Sequence, residues 1–325
     1  MKFLHTILIS LLLSGCVPPI VQATATSTTG VTQTLTANPP LTATHTSTLE
    51  PSDTGTPTQP TDDPVLVGAG DIAHCSSQGD EATADLLDNI PGTVFTTGDN
   101  VYRSGTVAEF ANCYDPSWGR HKERTYPSPG NHDYGTGDGA GYYDYFGSAA
   151  GDPTKGYYSY NLGTWHIIVL NSNIPVDAGS PQEQWLREEL AAHPVACTLA
   201  YWHHPRFSSG TQHGSNRSMR PLWQALYDFG ADVVLAGHEH NYERFALQDP
   251  QGAADPTHGI RQFVIGSGGR SHYSFGSPIS NSEVRNDDTY GVLRLTLHPG
   301  SYSWEFIPEA GKTFTDSGSA ACVTP

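Results

Sequence analysis

Apolar residues along this chain come in short bursts separated by polar, glycine-rich turns. The bursts fall at Val65–Gly70, Val94–Thr97, Trp165–Asn171, Thr198–Trp202, Val233–Ala236 and Gln262–Gly266. Their lengths suit buried strands better than helices. A last pair, Gly291–Leu297 and Tyr302–Phe306, is split by His298-Pro299-Gly300 and reads as a hairpin. Between the early bursts the spacing turns helical, at Asp80–Asn89, Thr106–Ala111, Pro181–Ala192 and Ser218–Tyr227. In Pro181–Ala192 it puts Trp185, Leu186 and Leu190 on one face and Glu183, Arg187 and Glu188 outside. Strands alternating with helices predict an α/β sheet domain, with antiparallel strands added at the C-terminus. No internal repeat is visible.

Ahead of this domain the pattern is different. Lys2 is followed by an apolar run, Phe3–Leu13, too short to span a bilayer, which takes about 20 residues. It ends in Leu13-Ser14-Gly15-Cys16, which resembles a bacterial lipobox. The resemblance implies a signal peptide over 1–15, cleavage before Cys16 and acylation of that cysteine. An ordinary secretory signal is the alternative, and either carries the chain out of the cytoplasm. The expected location is extracytoplasmic, lipid-anchored to a bacterial cell membrane or envelope. Residues 16–64 are rich in Thr and Pro and poor in large apolar side chains, so ordering them would cost entropy with little burial to offset it. They read as a disordered tether, leaving one domain at 65–325.

Composition narrows the partners. Among 325 residues, 16 Lys and Arg face 33 Asp and Glu, a formal charge of −17, so no nucleic-acid partner is expected. An anionic substrate would need a local positive field. Beyond Cys16, four cysteines in an exported domain suggest disulfides, with three possible connectivities. Cys75 and Cys113 each follow a strand-end motif, which favours that pair and leaves Cys197 with Cys322; free buried thiols are the alternative.

Candidate chemistry collects just past the strands: Gly70-Asp71-Ile72, Gly98-Asp99-Asn100-Val101-Tyr102, Gly130-Asn131-His132-Asp133, Trp202-His203-His204-Pro205 and Gly237-His238-Glu239-His240. Ligands of open α/β sheets bind at the carboxyl ends of strands. Asp, Asn, His and Tyr are oxygen and nitrogen donors for hard or borderline metals. In extended backbone His238 and His240 would face one side and Glu239 the other.

Taken in this order, the motifs resemble those of the calcineurin-like metallophosphoesterases, and most of all the purple acid phosphatases; Asn241-Tyr242-Glu243-Arg244 is similar too. The resemblance runs from about Val65 to the C-terminus. It implies an αββα sandwich of two mixed β-sheets flanked by helices, and a hydrolase with two adjacent metal sites. Asp71, Tyr102 and His240 would hold the first metal, Asn131, His203 and His238 the second, and Asp99 would bridge them. In the wider superfamily the first motif is usually Asp-x-His with the His a ligand, whereas Ala73 stands there here and His74 falls one residue late. Tyr102 supplies the missing donor. A phenolate suits a trivalent ion, so Fe(III) is expected in the first site and Fe, Zn or Mn in the second. The cations would leave the pocket locally positive despite the acidic chain.

The implied reaction is in-line attack on a phosphomonoester by a metal-bound hydroxide, the substrate being a small phosphorylated molecule. His132, oriented by Asp133 or Asp99, ranks first as general acid, then His213 on the Pro205–Gly214 loop, then His204. A phosphodiesterase or nucleotidase on the same centre is the near alternative; a non-catalytic surface-binding lipoprotein with a structural metal is the distant one. The remaining histidines, His166 and His193 among them, are assigned to core or surface. Tyr134, Tyr142, Tyr143 and Tyr145 are read as packing, Arg103 and Arg244 as ion pairs, and Gly266-Ser267-Gly268-Gly269 as a tight turn near the site.

Overall fold

The computed structural model describes residues 63–323. The expected signal peptide, Cys16 and the linker up to residue 62 lie outside the described residues. The chain divides into a unit at 1–58 and a unit from 59 to 325, and only the second is described. Its first residues are already engaged: the Pro64 carbonyl accepts from Leu297 N at 2.9 Å, and Asp63 Oδ2 lies 2.5 Å from His298 Nδ1.

In chain order the elements are β1 (Val65–Ala69), β2 (Ala73–His74), α1 (Gly79–Leu87), β3 (Thr93–Thr97), β4 (Val101–Tyr102), α2 (Val107–Glu109), β5 (Thr125–Ser128), α3 (Ala140–Phe146), β6 (Tyr158–Leu162) and β7 (Trp165–Val169). There follow α4 (Pro181–Ala192), β8 (Thr198–Tyr201), α5 (Arg220–Asp228), β9 (Val233–Ala236), β10 (Tyr242–Phe245), β11 (Arg261–Ile265), β12 (Ser282–Asn286), β13 (Gly291–His298), β14 (Ser301–Pro308) and β15 (Ser317–Ala321). One sheet has the order β15-β14-β13-β1-β3-β5, the other β12-β10-β11-β9-β8-β7-β6. In the first, β1, β3 and β5 run parallel; in the second, β7, β8, β9 and β11 do. Antiparallel strands complete both sheets, and β2 pairs with β4 beside them.

The two sheets face each other. Ile167, Leu199, Leu235 and Phe263 of the second sheet share a core with Leu66, Phe95, Leu293 and Phe306 of the first. The intervening residues Ile168, Ala200, Val234 and Val264 point the other way, onto Leu186 and Leu190 of α4 and Leu222, Trp223 and Leu226 of α5. Ala84 and Leu87 of α1 pack on the first sheet. This is the expected αββα sandwich. No helix among the described residues is long and apolar enough to cross a membrane.

Local signals explain where helices start. Ser180 caps α4, its side chain accepting from Glu183 N, with Pro181 in the first turn. Glu183 is buried rather than outside as expected, because it binds Gly179 N at 2.9 Å and pairs with Arg187. The Thr106 helix carries a capping box with Glu109 and runs on as a wider π turn to Tyr114. The Ser218 helix enters through a 3₁₀ turn at Arg217–Met219. Both expected cysteine pairs lie at disulfide distance, Cys75–Cys113 with Cα atoms 4.7 Å apart and Cys197–Cys322 with 5.6 Å.

Candidate metal centre

Five chain reversals meet at one end of the sandwich. Each follows the carboxyl end of a parallel strand: β1, β3 and β5 of one sheet, β8 and β9 of the other. Backbone hydrogen bonds knit the reversals together. Asp71 N donates to Gly98 O at 3.0 Å, Gly70 N to Ile265 O at 2.8 Å and Gly237 N to His203 O at 2.9 Å. Glycine is needed where backbone meets the aspartates. A Cβ on Gly130 would fall 2.2 Å from Asp99 Oδ1, and one on Gly237 2.6 Å from Asp71 Oδ2. Asp71, Asp99 and His238 have φ of +58°, +49° and +72°, three of the four non-glycine residues with positive φ among the described residues. The His238–His240 stretch is thus a bend and not the extended segment expected.

All seven sequence-derived donors converge, in two groups. In the first, Tyr102 OH lies 2.8 Å from Asp71 Oδ1, 2.9 Å from Asp99 Oδ2 and 3.1 Å from His240 Nε2, and His240 Nε2 is 3.3 Å from Asp71 Oδ1. In the second, His203 Nε2 lies 3.1 Å from Asn131 Oδ1, 3.1 Å from His238 Nδ1 and 3.3 Å from Asp99 Oδ2. Asp99 Oδ2 belongs to both groups. The outward atoms are spoken for: His203 Nδ1 meets Thr97 O at 2.8 Å, His240 Nδ1 meets Ser271 Oγ at 2.9 Å, and Asp71 Oδ2 accepts from His238 N at 2.8 Å. These contacts leave the inward nitrogens of His203 and His240 free to ligate.

The donor set calls for cations. One phenolic hydrogen cannot serve two carboxylates and an imidazole at once. Burial works against a positive His203, yet the Asp99 carboxylate beside it raises its pKa to about 9. The Asp99 carboxyl, which burial would push up, is held well below the usual range by His203 and His132. Burial, then Asp71 and Asp99, push the Tyr102 phenol well above its ordinary value. Ionising it takes a strong local positive charge. Two metal ions sharing Asp99 would fit this arrangement.

The candidate acids line the rim. The His132 ring, half-exposed, has Nδ1 2.6 Å from Arg103 O and Nε2 3.9 Å from Asp99 Oδ2. Asp133 does not orient it as expected. Its buried carboxylate accepts from Gly130 N and from Asn100 N and Nδ2, and burial followed by the Asp99 charge raises its pKa to about 7. The Pro205–Gly214 loop brings the His213 ring to 3.9 Å from the His238 ring, nearly parallel at 29°. His204 Nδ1 is held by Ser172 Oγ at 2.7 Å, and burial, then His203, push its pKa down to about 3, which suits a neutral imidazole better than a proton donor. His74 turns away to Ser76, as the one-residue offset implied. Arg244 pairs with Asp316 and Glu283, Tyr142 is core, and Tyr134 bonds Tyr143 at 2.9 Å.

Sequence reasoning missed four residues. Arg270 donates its N to Asp71 O and lays its guanidinium 5.1 Å from the Tyr102 ring centre. Tyr273 stacks on His240 at 3.8 Å, and Ser271 holds the same ring. All three follow the Gly266–Gly269 turn directly, and a lone cation after a glycine-rich turn was the available signal. Glu239, expected to face away, is fully buried, and its Oε1 accepts from His213 N and Gly214 N at 2.5 Å each.

Comparison with known proteins places this geometry. Residues 53–242 match the calcineurin-like phosphoesterase family, and the chain belongs to it. It is similar to purple acid phosphatase 22 of Arabidopsis thaliana, 32% identical over 171 residues, which are 49% of this chain and 39% of that protein. Purple acid phosphatase 15 of the same plant is 29% identical over 200 residues, 50% of this chain and 38% of its own length. The chain thus spans about two-fifths of the length of these relatives. Among solved structures it resembles the purple acid phosphatase PPD1 of yellow lupin, with TM-score 0.64, 18% identity, and 79% of this chain and 53% of that one covered. GAP50 of Plasmodium gives TM-score 0.62 at 16% identity, covering 81% and 89%. At these identities the structures speak for the fold alone. Membership of the family implies a dinuclear metal centre.

Proposed function

We propose that the chain is an exported, lipid-anchored phosphoester hydrolase that acts on small phosphomonoesters. Fold alone does not decide this, since GAP50, described as an anchor in the inner membrane complex, shares it. The observation that carries the reading is the sharing of Asp99 Oδ2 between two complete donor groups. Asp71, Tyr102 and His240 would hold Fe(III); Asn131, His203 and His238 would hold Fe, Zn or Mn. When bound, such a pair clamps a phosphoryl group and activates water for in-line attack.

The chain's own groups do the rest. His132, tied through Nδ1 to Arg103 O, presents Nε2 to the centre and can pass a proton to the leaving oxygen. His213 roofs the second donor group and can hydrogen-bond a substrate oxygen. Arg270 adds positive charge beside Tyr102, and Tyr273 screens His240 from water.

Metal analysis and a visible spectrum of the purified ectodomain test the proposal. A Tyr102–Fe(III) pair gives a charge-transfer band that Tyr102→Phe abolishes. Hydrolysis of para-nitrophenyl phosphate should exceed that of its bis ester, and the reverse order would make the protein a diesterase. Parent rates in folded Asn131→Ala and His203→Ala variants would sink the hydrolase reading.

A further inference from the structure

The far end of the second sheet carries another cluster of metal donors, built from three residues that play no part in the centre above. His166 stands at the amino end of β7, Glu189 on the last turn of α4, and His193 four residues on, at the residue that caps the helix end. Glu189 Oε1 is 3.3 Å from His166 Nε2 and 3.1 Å from His193 Nδ1, and all three donor atoms lie within 4.8 Å of one another. Zinc bonds of about 2.0–2.2 Å set tetrahedral edges of roughly 3.3–3.5 Å, close to both measured separations.

His166 is the second observation. It is 2% exposed, and its Nε2, aimed into the cluster, is a buried nitrogen without a hydrogen-bond partner. Its other nitrogen is 2.9 Å from Asn161 Oδ1 on β6. That contact places the ring proton on Nδ1 and leaves Nε2 with a lone pair, the usual way a neighbouring side chain prepares an imidazole to ligate. A buried acceptor aimed past hydrogen-bonding geometry at a carboxylate is costly unless something positive lies between them. Ser159 Oγ donates to Glu189 Oε1 at 2.6 Å and fixes the carboxylate. His193, 44% exposed, is the open side of the cluster, and it also lines a cavity of about 420 Å³. Its Nδ1 also lies 3.0 Å from the Glu189 carbonyl, so ligation through Nδ1 requires the tautomer with the ring proton on Nε2.

We propose that His166, Glu189 and His193 form a divalent-cation site, best matched to zinc by its two imidazoles and one carboxylate. It would pin the end of α4 to the sheet edge, just before the segment that leads to the Cys197–Cys322 disulfide. The residues sit on a strand, a helix and that helix's cap, at the opposite end of β7 from the strand ends that bear the centre, which suits a structural role.

The test counts metal in the full exported chain. After loading with zinc and desalting, parent protein should carry one zinc more per chain than His193→Ala and than Glu189→Gln. Hydrolysis in both variants should stay within about twofold of parent. Zinc should raise the Tm of the parent more than that of His193→Ala, a half-exposed replacement that leaves the core alone. Equal zinc counts in the parent and His193→Ala overturn the site, whatever metals the strand-end centre holds.

Discussion

Glu239 offers the sharpest way to perturb the candidate centre without touching a ligand. It stands between His238 and His240 but points to the other side, under the loop that carries His213. Its Oε1 receives His213 N and Gly214 N at 2.5 Å, and a Cβ on Gly210 would lie 2.2 Å from its Cδ, so the loop rests directly on the carboxylate. Hydrogen bonds to a charged acceptor contribute about 1.5–3 kcal/mol each, against about 0.5–1.5 for neutral pairs. Glu239→Gln keeps the shape and loses the charge, so the two contacts together weaken by about 2–3 kcal/mol. That shifts the loop's equilibrium by roughly 30- to 150-fold, at 1.4 kcal/mol per factor of ten. The variant should therefore lose about ten- to a hundredfold in kcat/KM for para-nitrophenyl phosphate, with bound metal unchanged. The loss has a ceiling, because freeing His213 cannot cost more than removing it. His213→Ala/Glu239→Gln should thus hydrolyse no slower than His213→Ala alone. Multiplicative losses in the double variant, or loss of metal in Glu239→Gln, would refute the positioning role.

Two further predictions concern stability. The Cys197–Cys322 bond closes a loop of sequence separation 125, and unfolded chains of that size lose about 4–5 kcal/mol of entropy on cross-linking. Cys322→Ser should lower stability by about 2–5 kcal/mol in urea titrations under oxidising conditions, and no change would show that the bond does not form in solution. Asp232, buried and bound by Thr198 N at 2.8 Å and Val323 N at 2.6 Å, has its pKa raised by burial to about 7. With the folded pKa above the unfolded one, near 3.9, stability is full below pH 4 and falls as pH rises through 7, by up to about 4 kcal/mol. Measured against Asp232→Asn, the parent should lose ground steadily between pH 4 and 8; a flat difference would contradict the burial argument.

The parts legible in the sequence were those where one local signal acts alone. The buried strands β1, β3, β7, β8, β9 and β11 are each built on a short apolar run, and α4 has its Ser180-Pro181 start. The strand-end donors could be read because Gly precedes most of them and because few short polar segments end a strand so often. Edge elements were not legible. β5 contains Pro127, which speaks against a strand, yet β5 closes the end of its sheet, where a missing donor is tolerated. β6, β12 and β15 are polar and only half-covered, so their apolar alternation is faint. α3 is built from glycine and aromatics, poor helix formers held by burial of Tyr142 and Phe146. Arg270, Tyr273 and Glu239 escaped because their roles depend on contacts between distant segments. Spacing reports which residues share a face, and it is silent on what covers that face.

The cost of assembling the donors also separates the two clusters. Left-handed backbone at non-glycine residues costs about 1–3 kcal/mol each and persists only where the surroundings impose it. Asp71, Asp99 and His238 all carry it, and Gly130 and Gly237 leave no room for a Cβ beside the Asp99 and Asp71 carboxylates. Nothing in packing the sandwich requires this, for the strands that feed these turns are regular and their cores are filled without them. The strain serves to aim seven donors at common points, which is the expense expected of a site whose geometry must be held for chemistry. The cluster of His166, Glu189 and His193 has no such strain. A helix residue, the cap residue four positions on and one strand residue reach each other without left-handed backbone, and an ion there would need only to hold the helix end in place. By the same measure, strained against relaxed backbone, the strand ends fit the proposed catalytic centre and the distal cluster fits the proposed structural ion.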